Sequence, residues 1–308
     1  MAQIKKITFI GSKLFGLQTL KKICELSPGL IKNVVSCDDG NDVRSCKSDF
    51  IDFAQAKGLR IAFSSNRQMT HNLIKDGKPD LCFVNGWYQL LSSETLSLAS
   101  HGFVGVHHSL LPKYRGGSPL VWQLINQEKM IGSSLFYLSE GVDSGKLIFQ
   151  VSMENHLLYI DDARKKLETL FLEKLESIWT RFLAGEVSVV SQVDSSASYC
   201  SSIMPEDGRV NWSKSALSVV AKIRAQSLPY PCAYCLYDEK QLKLVKASLF
   251  PGYFYGIPGQ LVGFDQAEKY PIIACGDGNA VILEQCMFDD GVVVRAQDIL
   301  KSVKIRLA

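Results

Sequence analysis

The sequence lacks a strong net charge, a long hydrophobic run and an even set of cysteines. Its 308 residues include 34 Lys and Arg and 31 Asp and Glu, and the net charge of +3 is too small for a dedicated nucleic-acid-binding protein. No run of about 18 apolar residues occurs, so no transmembrane helix is expected. The N-terminus shows no signal-peptide pattern. The nine cysteines are scattered, which argues against a disulfide framework and favours a cytoplasmic protein.

Common cofactor and metal motifs are also incomplete. The loop at residues 11–16 lies where dinucleotide- and phosphate-binding glycine loops occur. It has neither the middle glycine of the first motif nor the Gly-Lys-Ser/Thr ending of the second. Cys232 and Cys235 have CxxC spacing, but no second CxxC and no histidine pair accompany them. The sequence therefore predicts no metal site and no nucleotide at the glycine loop.

The length, at roughly 100–200 residues per domain, suggests two domains. In the first part of the chain, short apolar runs rich in β-branched residues alternate with helical patterns. This alternation predicts an α/β domain with a doubly wound, Rossmann-like parallel sheet. The predicted strands are residues 4–10, 34–37, 60–63, 80–84 and 104–106, and the predicted helices include residues 14–26 and a long amphipathic helix within residues 160–185.

The second part of the chain has a different sequence pattern. We assign the Rossmann-like domain to residues 1–189 and a serine-rich linker to residues 190–205. Residues 206–308 contain many short alternating runs punctuated by Gly and Pro, a pattern typical of a small β-barrel. We therefore expect an OB-like barrel domain at the C-terminus.

A histidine and an aspartate stand out as candidate catalytic residues. His107 directly follows the predicted strand at 104–106, and ligands in doubly wound sheets bind at the carboxyl ends of strands. Asp143 lies in a glycine-flanked loop before another apolar run. If the loop folds over the same edge, the pair forms a general base whose cation is stabilised by a carboxylate. Spacing alone leaves open a structural histidine and a turn-forming aspartate.

The stretch around His107 resembles the folate-dependent formyltransferase family. The family core is Asn-x-His-x-Ser-Leu-Leu-Pro followed by a distant Asp, and residues 105–112 read GVHHSLLP before Asp143. Gly105 stands where the family has Asn. The likeness spans nearly the whole chain and continues in residues 205–212, 223–225, 229–231, 242–244, 258–259 and 275–278.

The resemblance implies transfer of a formyl group from 10-formyltetrahydrofolate to an acceptor amine. His107 would deprotonate the acceptor or stabilise the developing oxyanion, and Asp143 would orient His107 and assist proton delivery to the folate nitrogen. Losing one oxyanion donor, as Gly105 implies, typically costs about 10²–10³ in rate. A backbone N–H, a water, Asn85 or His108 would have to replace it. Two alternatives remain: the glycine makes room for a bulky acceptor, or the protein is an impaired enzyme that only binds folate.

The resemblance also implies a pterin pocket formed by two loops. A pterin requires backbone hydrogen bonds and flat apolar walls. The alternative is that Trp87 and Tyr88 simply pack in the core. The expected pocket residues are Gly86, Trp87, Tyr88, Gln89, Leu90, Leu91, Glu140, Gly141 and Val142.

Two acceptors fit the family, a nucleotide-linked amino sugar and initiator methionyl-tRNA. Residues 206–308 carry 12 Lys and Arg against 11 Asp and Glu, and residues 38–44 are acidic, whereas tRNA binding requires phosphate neutralisation. The run at 109–122 is similar to bacterial sugar-nucleotide formyltransferases. A nucleotide-linked amino sugar is therefore the expected acceptor. No membrane partner is expected. The sequence leaves the oligomeric state open, and a dimer is one of the alternatives. The expected substrate contacts are Ser109, Lys113, Tyr114 and Arg115, with Lys113 and Arg115 facing a diphosphate or, alternatively, solvent.

Overall fold

A computed structural model describes residues 3–40, 42 and 44–308. A seven-stranded sheet organises the first part of the chain, in the order β3-β2-β1-β4-β5-β7-β8, and β6 pairs with β9 in a separate two-stranded sheet. The strands are β1 (Ile7–Gly11), β2 (Ile31–Cys37), β3 (Arg60–Ser64), β4 (Leu81–Asn85), β5 (Phe103–His107), β6 (Arg115–Gly116), β7 (Met130–Tyr137), β8 (Leu147–Glu154) and β9 (Tyr199–Cys200). The helices are α1 (Lys13–Leu26), α2 (Lys47–Ala56), α3 (Arg67–Gly77), α4 (Ser93–Leu96), α5 (Pro119–Ile125) and α6 (Ile160–Leu183).

The pairing of the strands confirms the predicted α/β class. β1 runs parallel to β2 and β4, and the pairs β2–β3 and β4–β5 are also parallel. β7 is antiparallel to β5, so the sheet is predominantly rather than wholly parallel. An antiparallel strand toward one edge is common in sheets of this kind. The parallel strands end on the same edge, which places the residues after β4 and β5 side by side.

The core of this sheet is built from aromatic side chains on its strands and on α6. Phe9 on β1 stacks on Phe83 of β4 with ring centroids 6.2 Å apart. Trp179 of α6 lies 6.4 Å from Phe83, and its indole N–H donates to the Ser27 hydroxyl at 2.8 Å. Fully burying one such side chain contributes roughly 1.5–3 kcal/mol. The central strands β1 and β4 are buried at every residue, as expected where both faces of a sheet are covered.

The chain divides into two compact units. The first comprises residues 1–116, 132–152 and 166–199, and the second comprises residues 117–131, 153–165 and 200–308. In the second unit the strands form an antiparallel sheet in the order β10-β11-β14-β13-β12, with β15 on β14, and this curled half-barrel confirms the predicted C-terminal fold. Its elements are α7 (Ala216–Ala225), β10 (Ala233–Tyr237), β11 (Lys240–Leu249), β12 (Leu261–Phe264), β13 (Pro271–Ala274), β14 (Ala280–Met287), β15 (Val294–Arg295) and α8 (Ala296–Ile299).

The described residues contain no helix long and apolar enough to cross a membrane. They also contain no group of three or more His, Cys, Asp or Glu side chains that could hold a metal ion. Cys232 and Cys235 are buried, and this burial raises the pKa of Cys232 to about 11 and raises the pKa of Cys235 as well. Both thiols are therefore protonated at neutral pH, whereas metal binding and redox chemistry require the thiolate.

Candidate active site

His107 is the last residue of β5, and its ring is held by a backbone carbonyl. Its Nε2 lies 2.7 Å from the carbonyl oxygen of Tyr114. A carbonyl can only accept a hydrogen bond, so Nε2 carries the proton, and in the neutral ring Nδ1 carries the lone pair. His107 is only 8% exposed. The ring orientation and the tautomer are thus both fixed by the chain that follows the strand.

Asp143 approaches the other ring nitrogen from the loop between β7 and β8. Its Oδ2 lies 3.4 Å from Nδ1 of His107 and accepts the backbone N–H of Gly116 at 2.8 Å. The backbone of Asp143 has φ +47°, a left-handed conformation that costs L-residues roughly 1–2 kcal/mol. The two residues singled out from the sequence are therefore brought together. The carboxylate is close enough to stabilise a protonated ring.

Gly105 lies two residues before His107, and the space beside its Cα is occupied by a leucine. A Cβ at position 105 would lie 2.7 Å from Cδ2 of Leu138. The amide of Asn85 donates to the hydroxyl of Thr19 at 2.8 Å, and Nδ1 of His108 lies 2.8 Å from the hydroxyl of Ser133. Both side chains considered as substitutes for the family Asn therefore have hydrogen-bond partners within the protein.

Some of the residues expected to bind the pterin in the loop after β4 are held by contacts within the protein, and others are exposed. Gly86 has φ +74°, and a Cβ there would lie 2.3 Å from the carbonyl oxygen of Ser12, so only glycine fits. Gln89 accepts a hydrogen bond from the hydroxyl of Thr70 at 3.0 Å. Trp87 and Leu91 pack against an apolar cluster beneath β4 and β5. The indole nitrogen of Trp87 is buried and has no hydrogen-bond partner among the described residues.

The remaining pocket residues leave large apolar side chains exposed. Tyr88 and Leu90 are each 62% exposed, and Val142 in the Asp143 loop is 44% exposed. Glu140 and Gly141 are exposed beside it. The large exposed apolar side chains on the two loops suit a flat aromatic ligand. The N–H of Trp87, which has no partner among the described residues, is a hydrogen-bond donor for such a ligand. The residues present therefore fit a pterin.

A lysine after β1 also contacts the first of these loops. Nζ of Lys13 lies 5.7 Å from the ring centroid of Tyr88 and is bonded to Asp39 at 2.5 Å and Asp42 at 2.8 Å. Burial opposes the charge, but the bonds to Asp39 and Asp42 outweigh it and raise the pKa of Lys13. The ion pairs therefore favour the charged form of Lys13, which lies over the Tyr88 ring.

Of the four expected substrate contacts, only Lys113 has an exposed side chain. The hydroxyl of Ser109 is buried and donates to the carbonyl of Lys113 at 2.6 Å. Tyr114 is half-buried, and its N–H donates to the hydroxyl of Ser198 at 2.9 Å.

The guanidinium of Arg115 is enclosed, which corrects the expectation that it faces a diphosphate. The residue is only 2% exposed. Its nitrogens donate to Gln192 at 2.8 and 3.1 Å, to Asp194 at 2.8 Å and to the hydroxyl of Tyr199 at 3.2 Å. Burial disfavours the cation, but the bonds to Asp194 and Tyr199 prevail and raise the pKa of Arg115. Sequence reasoning missed these partners because they lie far along the chain.

Gln192 is a site residue that the sequence did not indicate. Its Nε2 donates to the carbonyl oxygens of Asp143 at 2.7 Å and Gly145 at 2.8 Å. The residue stands in the stretch assigned as a linker, among serines. No local pattern marks a single glutamine there.

Comparison with known proteins matches the two parts of the chain to two family models. The formyl transferase family model matches residues 25–179, and the model of the formyl transferase C-terminal domain matches residues 202–304. The chain belongs to the formyl transferase family. This finding confirms the resemblance seen in the sequence and makes the protein an enzyme of formyl transfer.

Relatives of two substrate classes resemble this formyltransferase. The methionyl-tRNA formyltransferase of Caldanaerobacter subterraneus subsp. tengcongensis is 29% identical, with 91% of each chain covered. WlaRD, a sugar 3N-formyl transferase solved in the presence of dTDP and 5-N-formyl-THF, superposes with a TM-score of 0.69 at 18% identity, covering 94% of this chain and 100% of WlaRD. The Helicobacter canadensis N-formyltransferase, solved with folinic acid and dTDP-3-aminofucose, gives 0.68 at 20% identity, covering 90% and 98%. At these identities the two structures establish a shared fold.

Proposed function

We propose that this formyltransferase transfers the formyl group of 10-formyltetrahydrofolate to the amine of a nucleotide-linked amino sugar in the cytoplasm. The observation that carries the proposal is the contact of His107 with Asp143 at the carboxyl edge of the sheet. The structures solved with dTDP or dTDP-3-aminofucose favour a sugar acceptor. The nearly neutral charge of residues 206–308 points the same way, because tRNA binding depends on neutralising phosphates.

In this reaction 10-formyltetrahydrofolate supplies the formyl carbon that the acceptor amine attacks. The loops at residues 86–91 and 140–142 would hold its pterin. Nδ1 of His107 takes the proton of the acceptor amine, because Nε2 already donates to Tyr114. The carboxylate of Asp143, 3.4 Å away, stabilises the imidazolium that results. His107 then returns the proton to the departing nitrogen.

The side of the site at Gly105 is expected to limit the rate. Negative charge develops on the formyl oxygen during the attack, and a side-chain amide at 105 would donate to it. Here the neighbouring space holds the methyl of Leu138. No side chain at position 105 can therefore donate to the formyl oxygen, and a slow enzyme is expected.

The same observation favours a second candidate, a folate-binding protein with impaired transfer. An apolar methyl in place of an oxyanion donor leaves the binding loops unchanged and removes transition-state stabilisation. In such a protein folate binding survives while turnover is lost. A third candidate, methionyl-tRNA as acceptor, is favoured by the relative that is 29% identical over 91% of the chain.

A panel of acceptors separates the three candidates. Purified protein is incubated with 10-formyltetrahydrofolate and with dTDP-, UDP- or GDP-linked amino sugars or methionyl-tRNA. Release of tetrahydrofolate is followed by absorbance and the formylated product by mass spectrometry. Formylation of a nucleotide sugar supports the proposal. Formylation of methionyl-tRNA alone contradicts it, and binding of 5-formyltetrahydrofolate without turnover establishes the folate-binding candidate.

A further inference from the structure

We propose that Gln192 is a positioning residue that fixes the carboxylate of Asp143 against the ring of His107. The inference rests on the proposed role of the His107–Asp143 pair. It assigns a task to residues 190–199, which the sequence presents as a serine-rich linker. We call this stretch the strap.

The amide of Gln192 makes hydrogen bonds in two directions. Its NH₂ group donates to the carbonyls of Asp143 and Gly145, at 2.7 and 2.8 Å. Its oxygen accepts from Nη2 and Nε of Arg115, at 2.8 and 3.1 Å. An amide is the neutral side-chain group that offers two donors and an acceptor together. Gln192 thereby ties the loop of Asp143 to the chain following His107.

These contacts form a closed set of hydrogen bonds around Asp143. Arg115 is bonded to Gln192, and the next residue, Gly116, donates its N–H to Oδ2 of Asp143 at 2.8 Å. Asp143 is thus held at its carbonyl by Gln192 and at its carboxylate by Gly116. Its left-handed backbone conformation, φ +47°, is disfavoured for an L-residue and requires such surroundings.

The strap also sets the position of the His107 ring. The hydroxyl and carbonyl of Ser198 accept the backbone N–H groups of Tyr114 and Arg115, each at 2.9 Å. The carbonyl of Tyr114 accepts the N–H of His107. At its other end the strap is joined to β8 by two backbone bonds between Val190 and Leu147, at 2.8 and 2.9 Å. One segment therefore fixes both members of the pair.

A double-mutant cycle tests whether Gln192 acts through Asp143. Gln192→Ala removes the two donors to the loop, and a misplacement of about 1 Å in such a site costs on the order of 10²-fold in rate. We expect kcat to fall by that order with little change in the KM of the formyl donor. In Gln192→Ala/Asp143→Asn, the loss should equal that of Asp143→Asn alone. Multiplication of the two losses would overturn the proposal.

Two further variants separate positioning from folding. Gln192→Glu keeps an oxygen for Arg115 but has no NH₂ group for the carbonyls, so it should lose as much kcat as Gln192→Ala. Wild-type activity in Gln192→Glu would contradict the assignment. The matched control is Gln68→Ala, which removes an exposed glutamine bonded at 3.2 Å to Asn72 on α3. Its kcat and melting temperature should match those of the unmodified protein.

A measurement without substrate keeps this test independent of the proposed reaction. The chain has five histidines, so the ring ¹⁵N signals of His107 are assignable with a His107→Gln variant. In Gln192→Ala these signals should move toward their positions in Asp143→Asn. If they stay at the wild-type positions, Gln192 does not position the pair. If they move but no acceptor is formylated by the wild type, only the proposed function fails.

Discussion

Positions 105 and 107 lie two residues apart on β5 and belong to the same face of the sheet, yet their surroundings differ. His107 has a carbonyl at one ring nitrogen and a carboxylate 3.4 Å from the other. Beside Gly105 the space is taken by a methyl of Leu138. The histidine and aspartate of the family motif are thus retained. In place of its asparagine the chain has Gly105, and the side chain of Leu138 packs beside it.

The largest effect on kcat is expected from replacing the retained histidine. His107→Asn removes the proton acceptor but keeps a side chain able to hydrogen-bond to Tyr114. General-base catalysis typically contributes about 10²–10⁴-fold, so kcat should fall by that amount. The measurement is steady-state formyl transfer to the best acceptor of the panel. His156→Asn is the matched control, because His156 is 75% exposed and pairs only with Glu154 in the described contacts. Equal activity of the two variants would rule out His107 as the base.

An intermediate effect on kcat is expected from restoring the asparagine at position 105. Leu138→Ala creates room, and Gly105→Asn then adds the family amide without meeting Cδ2 of Leu138. An oxyanion donor is worth about 10²–10³ in rate, so Gly105→Asn/Leu138→Ala should exceed Leu138→Ala in kcat by that order. In Gly105→Asn alone, overpacking should cost about 1–3 kcal/mol in the free energy of unfolding.

The comparison of Gly105→Asn with and without Leu138→Ala is measured by kcat and by urea unfolding. If the double variant gains no activity, the limitation lies elsewhere than at position 105. If Gly105→Asn alone is as stable as the unmodified chain, Leu138 yields without cost and does not block the site.

A smaller effect is expected from the buried hydroxyl behind the site. Ser109→Ala removes the donor to the carbonyl of Lys113 and leaves that group without its 2.6 Å bond. The free energy of unfolding should fall by about 1–3 kcal/mol, measured in urea. Ser97→Ala is the control, since its hydroxyl bonds an exposed carbonyl of Glu94. A loss of the same size in both variants would contradict the role of burial.

Strand and helix positions were largely predictable because their patterns are local. β3, β4 and β5 were predicted to within about two residues of their observed ends, and α6 lies within the predicted range of residues 160–185. The first strand was predicted from residue 4 but begins at Ile7. The reason is a distant carboxylate: Oδ2 of Asp80 accepts the N–H groups of Lys5 and Lys6 at 2.8 and 2.9 Å. These residues are thereby withheld from the ladder.

The sequence by itself determined the alternation of elements and the family, because hydrophobic periodicity and family motifs can be read from short stretches of the chain. The resemblance to that family also predicted His107 and Asp143 as a pair. Only the tertiary structure decided the antiparallel pairing of β7, the filling of the space beside Gly105 by Leu138 and the enclosure of Arg115. The partners of Arg115 lie 77 to 84 residues along the chain. Such contacts depend on how the whole chain packs, and no local pattern encodes them.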